Sequence, residues 1–173
     1  IRVPNETEVA RASQLTMRTN QFNFSLKRRA LPDIKQLIDD DTADCLVVSA
    51  KDRFGDYGLV GVIILLQNHK QLIIDSFMLS CRVLGRGVEH RMMAHIGQLA
   101  VDRQLQSVVV EIQANAKNEP ARMFLAEVTG EKLEHDSDCK EQYCHPTHVA
   151  NITHLPKQPV ATASKKPKEA GSP

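Results

Sequence analysis

The alternation of apolar and polar positions divides the chain into helices and strands. Apolar residues recur at helical spacing over residues 6–22, 31–40 and 88–104. A fourth helix is predicted over residues 118–130, with Asn118 as N-cap, Pro120 in its first turn and Gly130 near its end. Short apolar runs rich in β-branched residues predict strands over residues 44–52, 58–69, 70–80 and 107–113, with a weaker one over 131–137.

The order of these elements predicts a mixed α/β fold. Two helices precede an antiparallel meander of three strands, and a β-α-β crossover with flanking helices follows. The segment "RFGDYG" at residues 53–58 is predicted to turn between the first two strands. We expect one domain over residues 1–155, followed by a flexible linker or tail rich in Pro, Lys and Ala over residues 156–173.

Composition narrows the class of protein. The 173 residues are 42% hydrophobic and 25% charged, which is typical of one globular domain with a core. The net charge of +1 indicates neither nucleic acid nor a membrane surface as a partner, and no apolar run approaches the about 20 residues that span a bilayer. Four irregularly spaced cysteines and no signal-peptide pattern favour the cytoplasm, and the start at Ile1 suggests a piece of a longer protein.

The stretch "SCRVLGRGVEHRMM" lies where the third strand gives way to the third helix. A helix N-terminus presents unpaired N–H groups and a positive dipole end, which favour phosphate. Gly85 and Gly87 allow a tight turn and close approach of an anion, and Arg86 adds a positive charge. The alternative is a turn that needs glycine for its geometry alone.

Four segments carry a resemblance to a known family: "QLTMRTNQFN", "DRFGDYGLVG", "SFMLSCRVLGRGVE" and "AKNEPARMFL", which together cover residues 14–124. They resemble the C-terminal acyltransferase-like region of FkbH-like proteins, within the GNAT superfamily. There, the matching turn holds the pyrophosphate of acyl-CoA or the phosphopantetheine arm of a carrier protein. The resemblance implies a GNAT-like fold, no metal, and binding of acyl-CoA or a phosphopantetheine-bound acyl group by Arg82, Val83, Leu84, Gly85, Arg86, Gly87, Val88 and Asn118.

The same resemblance implies an activity and partners. The chain would transfer a glyceryl or similar short acyl group to the phosphopantetheine thiol of an acyl carrier protein in polyketide biosynthesis. The resemblance also implies an upstream haloacid-dehalogenase-like phosphatase domain in the parent protein. This chain shows no D-x-D-x-T motif, so we expect either an excised piece of such a protein or a stand-alone relative with altered chemistry. Two alternatives stay open: an N- or O-acyltransferase that uses acyl-CoA directly, and a non-catalytic docking module. Leu125 stands where amine-acetylating GNAT enzymes often carry a tyrosine, which counts against ordinary amine acetylation.

Three side chains are candidates for catalysis. Cys81 precedes the turn and could carry the acyl group as a thioester, since the helix dipole and nearby arginines favour the thiolate; a buried strand-end cysteine is the alternative. His90 could assist as a base, although a helix-face histidine is the default. Asp56 could act as a base or merely stabilise its turn. By resemblance, Asn20 and Asn23 lie near the substrate.

A cluster of zinc-type ligands lies near the end of the predicted domain. Cys139, Cys144, His145 and His148 fall within "CKEQYCHPTH", and thiolates and imidazoles are ligands that zinc prefers. The spacing differs from that of standard zinc fingers, and adjacent Cys144 and His145 would strain a tetrahedral site. We therefore expect a polar surface segment rather than a metal site.

Overall fold

The structure is a computed structural model that describes residues 1–113 and 115–130 in full, together with the backbone of residues 145–148. Its elements are α1 (Glu6–Arg18), α2 (Leu31–Asp39), β1 (Ala43–Asp52), β2 (Gly55–Asn68), β3 (Gln71–Leu79), α3 (Val88–Asp102), β4 (Ser107–Val110), α4 (Glu119–Thr129) and β5 (His145–His148). A short 3-10 turn, Cys81–Val83, lies between β3 and α3. The predicted order of helices and strands up to α4 is confirmed.

The sheet has the order β1-β2-β3-β4-β5. Neighbouring strands are antiparallel except for β3 and β4, which are parallel and joined by α3. The mixed α/β fold, with a meander leading into a β-α-β crossover, is therefore confirmed. The predicted strand over residues 131–137 and the predicted tail lie outside the described residues, whereas β5 falls in the segment that was expected to be polar surface.

The β1–β2 hairpin turns more tightly than the sequence predicted. Its turn is Arg53–Phe54, because Gly55, Asp56 and Gly58 already pair with β1. The register shifts between Val48 and Ser49 and again between Ala50 and Lys51. Most of "RFGDYG" is therefore strand rather than loop.

Local signals account for the starts of the helices. Asn5 begins α1 with a capping box: its Oδ1 accepts from Glu8 N at 3.1 Å, and Glu8 Oε2 accepts from Asn5 N at 3.0 Å. Pro120 and Gly130 lie in the first turn and just past the end of α4, as predicted. Asn118 occupies the N-cap position, as predicted, although its side chain makes no capping hydrogen bond.

Each face of the sheet is covered by a pair of helices. The helices α1 and α2 pack with one face of β1–β3 around Ile34, Val47 and Val62. The other face packs against α3 and α4. There, four phenylalanines form one aromatic cluster, with ring centroids 4.7 Å apart for Phe24 and Phe77 and 5.4 Å apart for Phe22 and Phe124.

The strands β3 and β4 diverge halfway along β3. Their parallel pairing runs from Gln71 with Ser107 to Ile74 with Val110, and the register between β2 and β3 shifts at the next residue, Asp75. Such a bulge bends a strand and ends its pairing. The C-terminal half of β3 is thereby separated from β4.

The gap between the diverging strands is filled by residues 22–24, which we call the inserted segment. Leu79 N donates to Phe22 O at 3.0 Å, and Phe24 N donates to Phe77 O at 3.1 Å. On the other side, Gln113 N donates to Phe24 O at 2.8 Å. The inserted segment therefore takes the edge of β3 that β4 leaves.

Within the described residues, no helix combines the length and apolar character needed to cross a membrane.

Candidate functional site

The turn between β3 and α3 is fixed by backbone bonds and one core side chain. Ser80 N donates to Val60 O at 2.7 Å, which ties the end of β3 to β2. Val83 N then donates to Ser80 O at 3.2 Å, and the Val83 side chain is buried at 1% exposure. These contacts hold the remaining turn residues at the end of the sheet, directly before the start of α3.

Gly85 and Gly87 both adopt left-handed backbone conformations, with φ of 75° and 76°. Only glycine enters this region without cost. A Cβ added to either would meet nothing within 4 Å, so the space above each residue is open. The glycines therefore serve the backbone turn and leave it accessible.

The amides at the start of α3 are unpaired. Within the described residues, the N–H groups from Gly85 to His90 donate no hydrogen bond of ordinary geometry, and Arg91 N, bonded to Gly87 O at 3.2 Å, is the first that does. The positive end of the helix dipole lies at the same place. This concentration of donors is suited to an anion such as a phosphate.

Arg86 is clamped by the β1–β2 hairpin. Its Nη1 donates to Asp52 Oδ2 at 2.9 Å and to the Tyr57 hydroxyl at 2.7 Å, and Tyr57 OH donates to Asp52 Oδ2 at 3.1 Å. The guanidinium carbon lies 5.1 Å from the centroid of the Tyr57 ring. The clamp fixes one side of the guanidinium and leaves Nε and Nη2 without hydrogen bonds in the described part of the chain.

The electrostatics of Asp52 follow from this clamp and from its turn. The backbone N–H of Phe54 donates to Asp52 Oδ1 at 2.7 Å. That bond, together with Tyr57 and the charge of Arg86, holds the pKa of Asp52 below its usual value. Asp52 is therefore a stable anion that anchors Arg86 at neutral pH.

The other predicted turn residues contribute in different ways. Arg82 is exposed, and its Nε donates to Ser80 Oγ at 3.3 Å. Leu84 and Val88 are half-buried and pack against the core, as Val83 does more fully. We conclude that Arg82 and Arg86 supply positive charge to the turn. The apolar turn residues supply backbone amides and anchor the turn to the core.

Cys81 carries a free thiol that is exposed at the start of the 3-10 turn. The alternative of a buried strand-end cysteine describes Cys45 instead, which is buried in β1. Burial raises the pKa of the Cys45 thiol to about 11. Of the cysteines in the described residues, Cys81 is the one placed to react.

His90 lies between α3 and α4. Its ring meets Phe124 edge-on at 5.1 Å between centroids, and its Nε2 lies 3.3 Å from Glu127 Oε1. These contacts belong to the packing of the two helices. No contact joins His90 to Cys81 within the described residues, so its assistance to the thiol stays a prediction.

Asp56 takes part in its own turn. Its Oδ1 accepts a hydrogen bond from Gly58 N at 2.7 Å, and its residue pairs with Lys51 across the hairpin. This is the arrangement expected of an aspartate that stabilises a turn. Among the described residues, no contact supports the proposed role of Asp56 as a base, and that role stays a prediction.

Asn118 is buried, and its amide is committed to the backbone. Nδ2 donates to Asn23 O at 2.9 Å and to Gln113 O at 2.8 Å, while Oδ1 accepts from Asn115 N at 2.9 Å. Asn118 therefore joins the inserted segment to the loop before α4. Contact with a cofactor, as the resemblance implies, would compete with these bonds.

Asn23 and Asn20 also act within the inserted segment and its flanks. Asn23 is buried; its Nδ2 donates to Thr19 O at 3.2 Å and its Oδ1 accepts from Leu26 N at 3.0 Å. Asn20 Oδ1 accepts from Arg28. Both asparagines therefore shape the segment that fills the gap beside β3.

Two buried acidic residues were missed by the sequence analysis. Glu89, in the first turn of α3, is 5% exposed although it is charged. Asp75, at the bulge of β3, is 3% exposed and bonds Lys27 at 2.6 Å and Arg29 at 2.7 Å. In the sequence, Glu89 could have been found as an acidic residue on the apolar face of a helix. Asp75 could have been found as an acidic residue inside the apolar run "LIIDSFML".

The Asp75 ion pairs determine its charge state. Burial by itself would raise the pKa of Asp75, but the bonds to Lys27 and the charge of Arg29 outweigh it, so the pKa is lowered. Lys27 also bonds Glu111 Oε2 at 3.1 Å. This network holds residues 27–29 against the point where β3 and β4 part.

Within the described residues, no group of three or more His, Cys, Asp or Glu side chains could hold a metal ion. Cys139 and Cys144 lie outside those residues, and only the backbone of His145 and His148 is described, in β5. The predicted surface role of that cluster therefore stays a prediction.

Comparison with known proteins identifies the fold of the chain but no sequence family. No family model matches the chain, and no curated protein matches it. Similar solved structures do exist. The spermidine N-acetyltransferase of Vibrio cholerae, in complex with CoA and spermine, has a TM-score of 0.56 and 14% identity, covering 85% of this chain and 88% of its own.

Two further structures agree. Rv2747 from Mycobacterium tuberculosis, in complex with CoA and NLQ, has a TM-score of 0.55 and 20% identity over 73% of this chain and 68% of its own. The ribosomal-protein-S18-alanine N-acetyltransferase of Escherichia coli has a TM-score of 0.52 and 11% identity over 72% of each chain. The chain has the GNAT fold. The predicted GNAT-like fold is confirmed, while the FkbH-like parent is not addressed by these similarities.

Proposed function

We propose that this protein is an acyltransferase that binds an acyl-CoA-type thioester at the turn between β3 and α3. The observation that carries the proposal is the run of amides from Gly85 to His90, beside Arg86 at the start of α3, which have no acceptor among the described residues. A pyrophosphate needs several donors and positive charge in one place, and this turn supplies both. Two of the structures with the same fold contain CoA, which supports the choice of ligand.

The finer proposal is transfer of a glyceryl or similar short acyl group to the phosphopantetheine thiol of an acyl carrier protein. The exposed thiol of Cys81 precedes the turn and supports a covalent intermediate. The Cys81 thiolate would attack the thioester carbonyl and release the donor thiolate, which takes up a proton. The deprotonated carrier thiol would then attack the acyl-cysteine, and the Cys81 thiolate would leave.

The parent protein would carry the haloacid-dehalogenase-like phosphatase domain that the resemblance implies upstream of this chain. That domain would prepare the acyl donor, and the present chain would deliver the acyl group to the carrier. The expectation rests on the resemblance of residues 14–124 alone.

Direct transfer from acyl-CoA to an amine or hydroxyl is the second candidate. It is favoured by the two N-acetyltransferases among the structures of similar fold. Against it stands Leu125, which is buried at 2% exposure and cannot donate a proton to a departing thiolate. A docking module without turnover is the third candidate, and the inserted segment that closes the edge of β3 favours it.

One experiment separates covalent transfer to a carrier protein from docking without turnover. The protein is incubated with acyl-CoA and a carrier protein, and intact masses are read for wild type and Cys81→Ser. We expect an acyl adduct on Cys81 and carrier acylation that the serine variant loses; peptide mapping should find Cys45 unmodified, because burial raises the pKa of its thiol to about 11. Equal carrier acylation by both proteins would reject the covalent role, and binding of CoA and carrier without transfer would favour the docking module.

A further inference from the structure

Two buried polar atoms in the first turn of α3 have no hydrogen-bond partner in the described part of the chain: Glu89 Oε2 and His90 Nδ1. They are neighbours, since Glu89 Oε1 lies 3.7 Å from His90 Nδ1, which is too long for a hydrogen bond. A buried carboxylate oxygen without a donor is unfavourable. The described part of the chain thus contains an acceptor that its own donors do not satisfy.

The position of Glu89 relates this acceptor to the turn. Glu89 shares the buried face of α3 with Met92, Met93 and Ile96, so its side chain lies between the helix and the sheet. Helical side chains lean toward the N-terminus of their helix. The carboxylate therefore lies toward the end of β3, beside the amides proposed to hold the phosphates.

The inserted segment occupies a strand edge with which an extended chain such as a pantetheine arm could otherwise pair. The arm is an extended chain with two amide groups, and such chains pair with free strand edges. Here, Leu79 N and Phe77 O are already bonded to Phe22 and Phe24. Both phenylalanines are buried, at 1% and 0% exposure, so the segment is part of the core and not a displaceable strap.

We propose that Glu89 takes the place of this closed strand edge: its Oε2 accepts a hydrogen bond from an N–H or O–H donor of the pantetheine arm. The proposal rests on the proposed function, because it assumes that the arm leaves a pyrophosphate held at the turn. A bond to an ionised acceptor is stronger than one to a backbone carbonyl, so a single carboxylate is an effective substitute. His90 Nδ1 offers a second polar contact beside it.

Calorimetric titration with two ligands tests the proposal: CoA, and the nucleotide half of CoA, which keeps the pyrophosphate and lacks the arm. Glu89→Met removes the acceptor at similar length and should lower the affinity for CoA relative to the nucleotide half about tenfold. Glu89→Gln keeps a neutral acceptor and should lower that ratio about threefold. Glu6→Gln, which changes an exposed carboxylate of α1 on the other face of the sheet, should leave the ratio unchanged.

Thermal unfolding distinguishes a ligand contact from a structural one. Glu89→Met should unfold at the same or a higher temperature than wild type, since an unpaired buried charge is removed. Loss of CoA affinity together with retained stability is the result that a purely structural role would not give. If Glu89→Met does not fold, the affinity ratio measured for Glu89→Gln tests the proposal in its place.

The possible failures differ in pattern. Wild-type binding of CoA with the same affinity ratio in Glu89→Met would overturn the role of Glu89 and leave the proposed function standing. Equal loss of affinity for both ligands would also overturn it, because Glu89 would then act on the turn itself. If the wild type binds neither CoA nor its nucleotide half, the proposed function and the role of Glu89 both fall.

Discussion

Replacing Asn118 with alanine tests whether this residue holds the fold or contacts a cofactor. Its amide makes three hydrogen bonds, to Asn23 O, Gln113 O and Asn115 N, at 2.9, 2.8 and 2.9 Å. A hydrogen bond contributes about 1 kcal/mol net, and more when its buried partner is left unsatisfied. Three such bonds at a residue of 0% exposure give an expected loss of about 3 kcal/mol in the free energy of unfolding.

Urea denaturation followed by circular dichroism measures this loss. Asn115→Ala is the matched control, because Asn115 is exposed and, among the described residues, its side chain bonds only Lys117 N in the adjacent turn. We expect about 0.5 kcal/mol or less from a surface change of this kind. A loss below about 1 kcal/mol in Asn118→Ala, combined with weakened CoA binding, would refute the scaffold role and favour cofactor contact.

Three further predictions concern the turn, its clamp and the ion-pair network. Gly87→Ala should cost about 1–2 kcal/mol in urea denaturation, because φ is 76° there; an unchanged midpoint would contradict the conformation. Tyr57→Phe should weaken CoA affinity about fivefold in titration calorimetry, since the hydroxyl orients Arg86; equal affinity would reject the clamp. The pKa of Asp75 is lower folded than unfolded, so its contribution is present above about pH 4 and lost as pH falls further. In Asp75→Asn, the free energy of unfolding should accordingly depend less on pH in that range. The same pH dependence in the variant and in wild type would contradict the ion pairs.

Patterns with a clear period predicted most of the fold. The apolar runs placed β1 to β4, and helical spacing with its caps placed α1 to α4, because each element buries a defined face. The inserted segment could not be predicted in the same way. The helix predicted over residues 6–22 included Phe22, whereas α1 ends at Arg18, and residues 23–24 are too short to show a period. The strand-like pairing of the inserted segment depends on the bend of β3 away from β4 at Asp75.

The site was predictable where backbone chemistry dominates. Gly85 and Gly87 indicated a tight turn, and the structure has one in which both glycines are left-handed. The clamp on Arg86 depends on Tyr57 and Asp52, which reach it only after the hairpin folds over the turn. Interactions over such sequence separations are set by tertiary packing and leave no local signal.

Glu89 shows how a charged residue can be overlooked. Its position on the apolar face of α3 was visible from its spacing to Met92, Met93 and Ile96. An acidic residue in a first turn is ordinarily explained by the helix dipole, which hides any other role. Only the structure shows that one of its oxygens is buried without a partner among the described residues.

The central claim is that the amides from Gly85 to His90 receive the pyrophosphate of a CoA-type thioester. The most direct measurement is amide NMR of the isotope-labelled protein during titration with CoA. We predict that the largest saturable proton shifts occur at those amides, and that Arg86→Gln reduces the affinity while leaving the same amides as the responders. Saturable shifts elsewhere, with the amides from Gly85 to His90 unmoved, would contradict the claim.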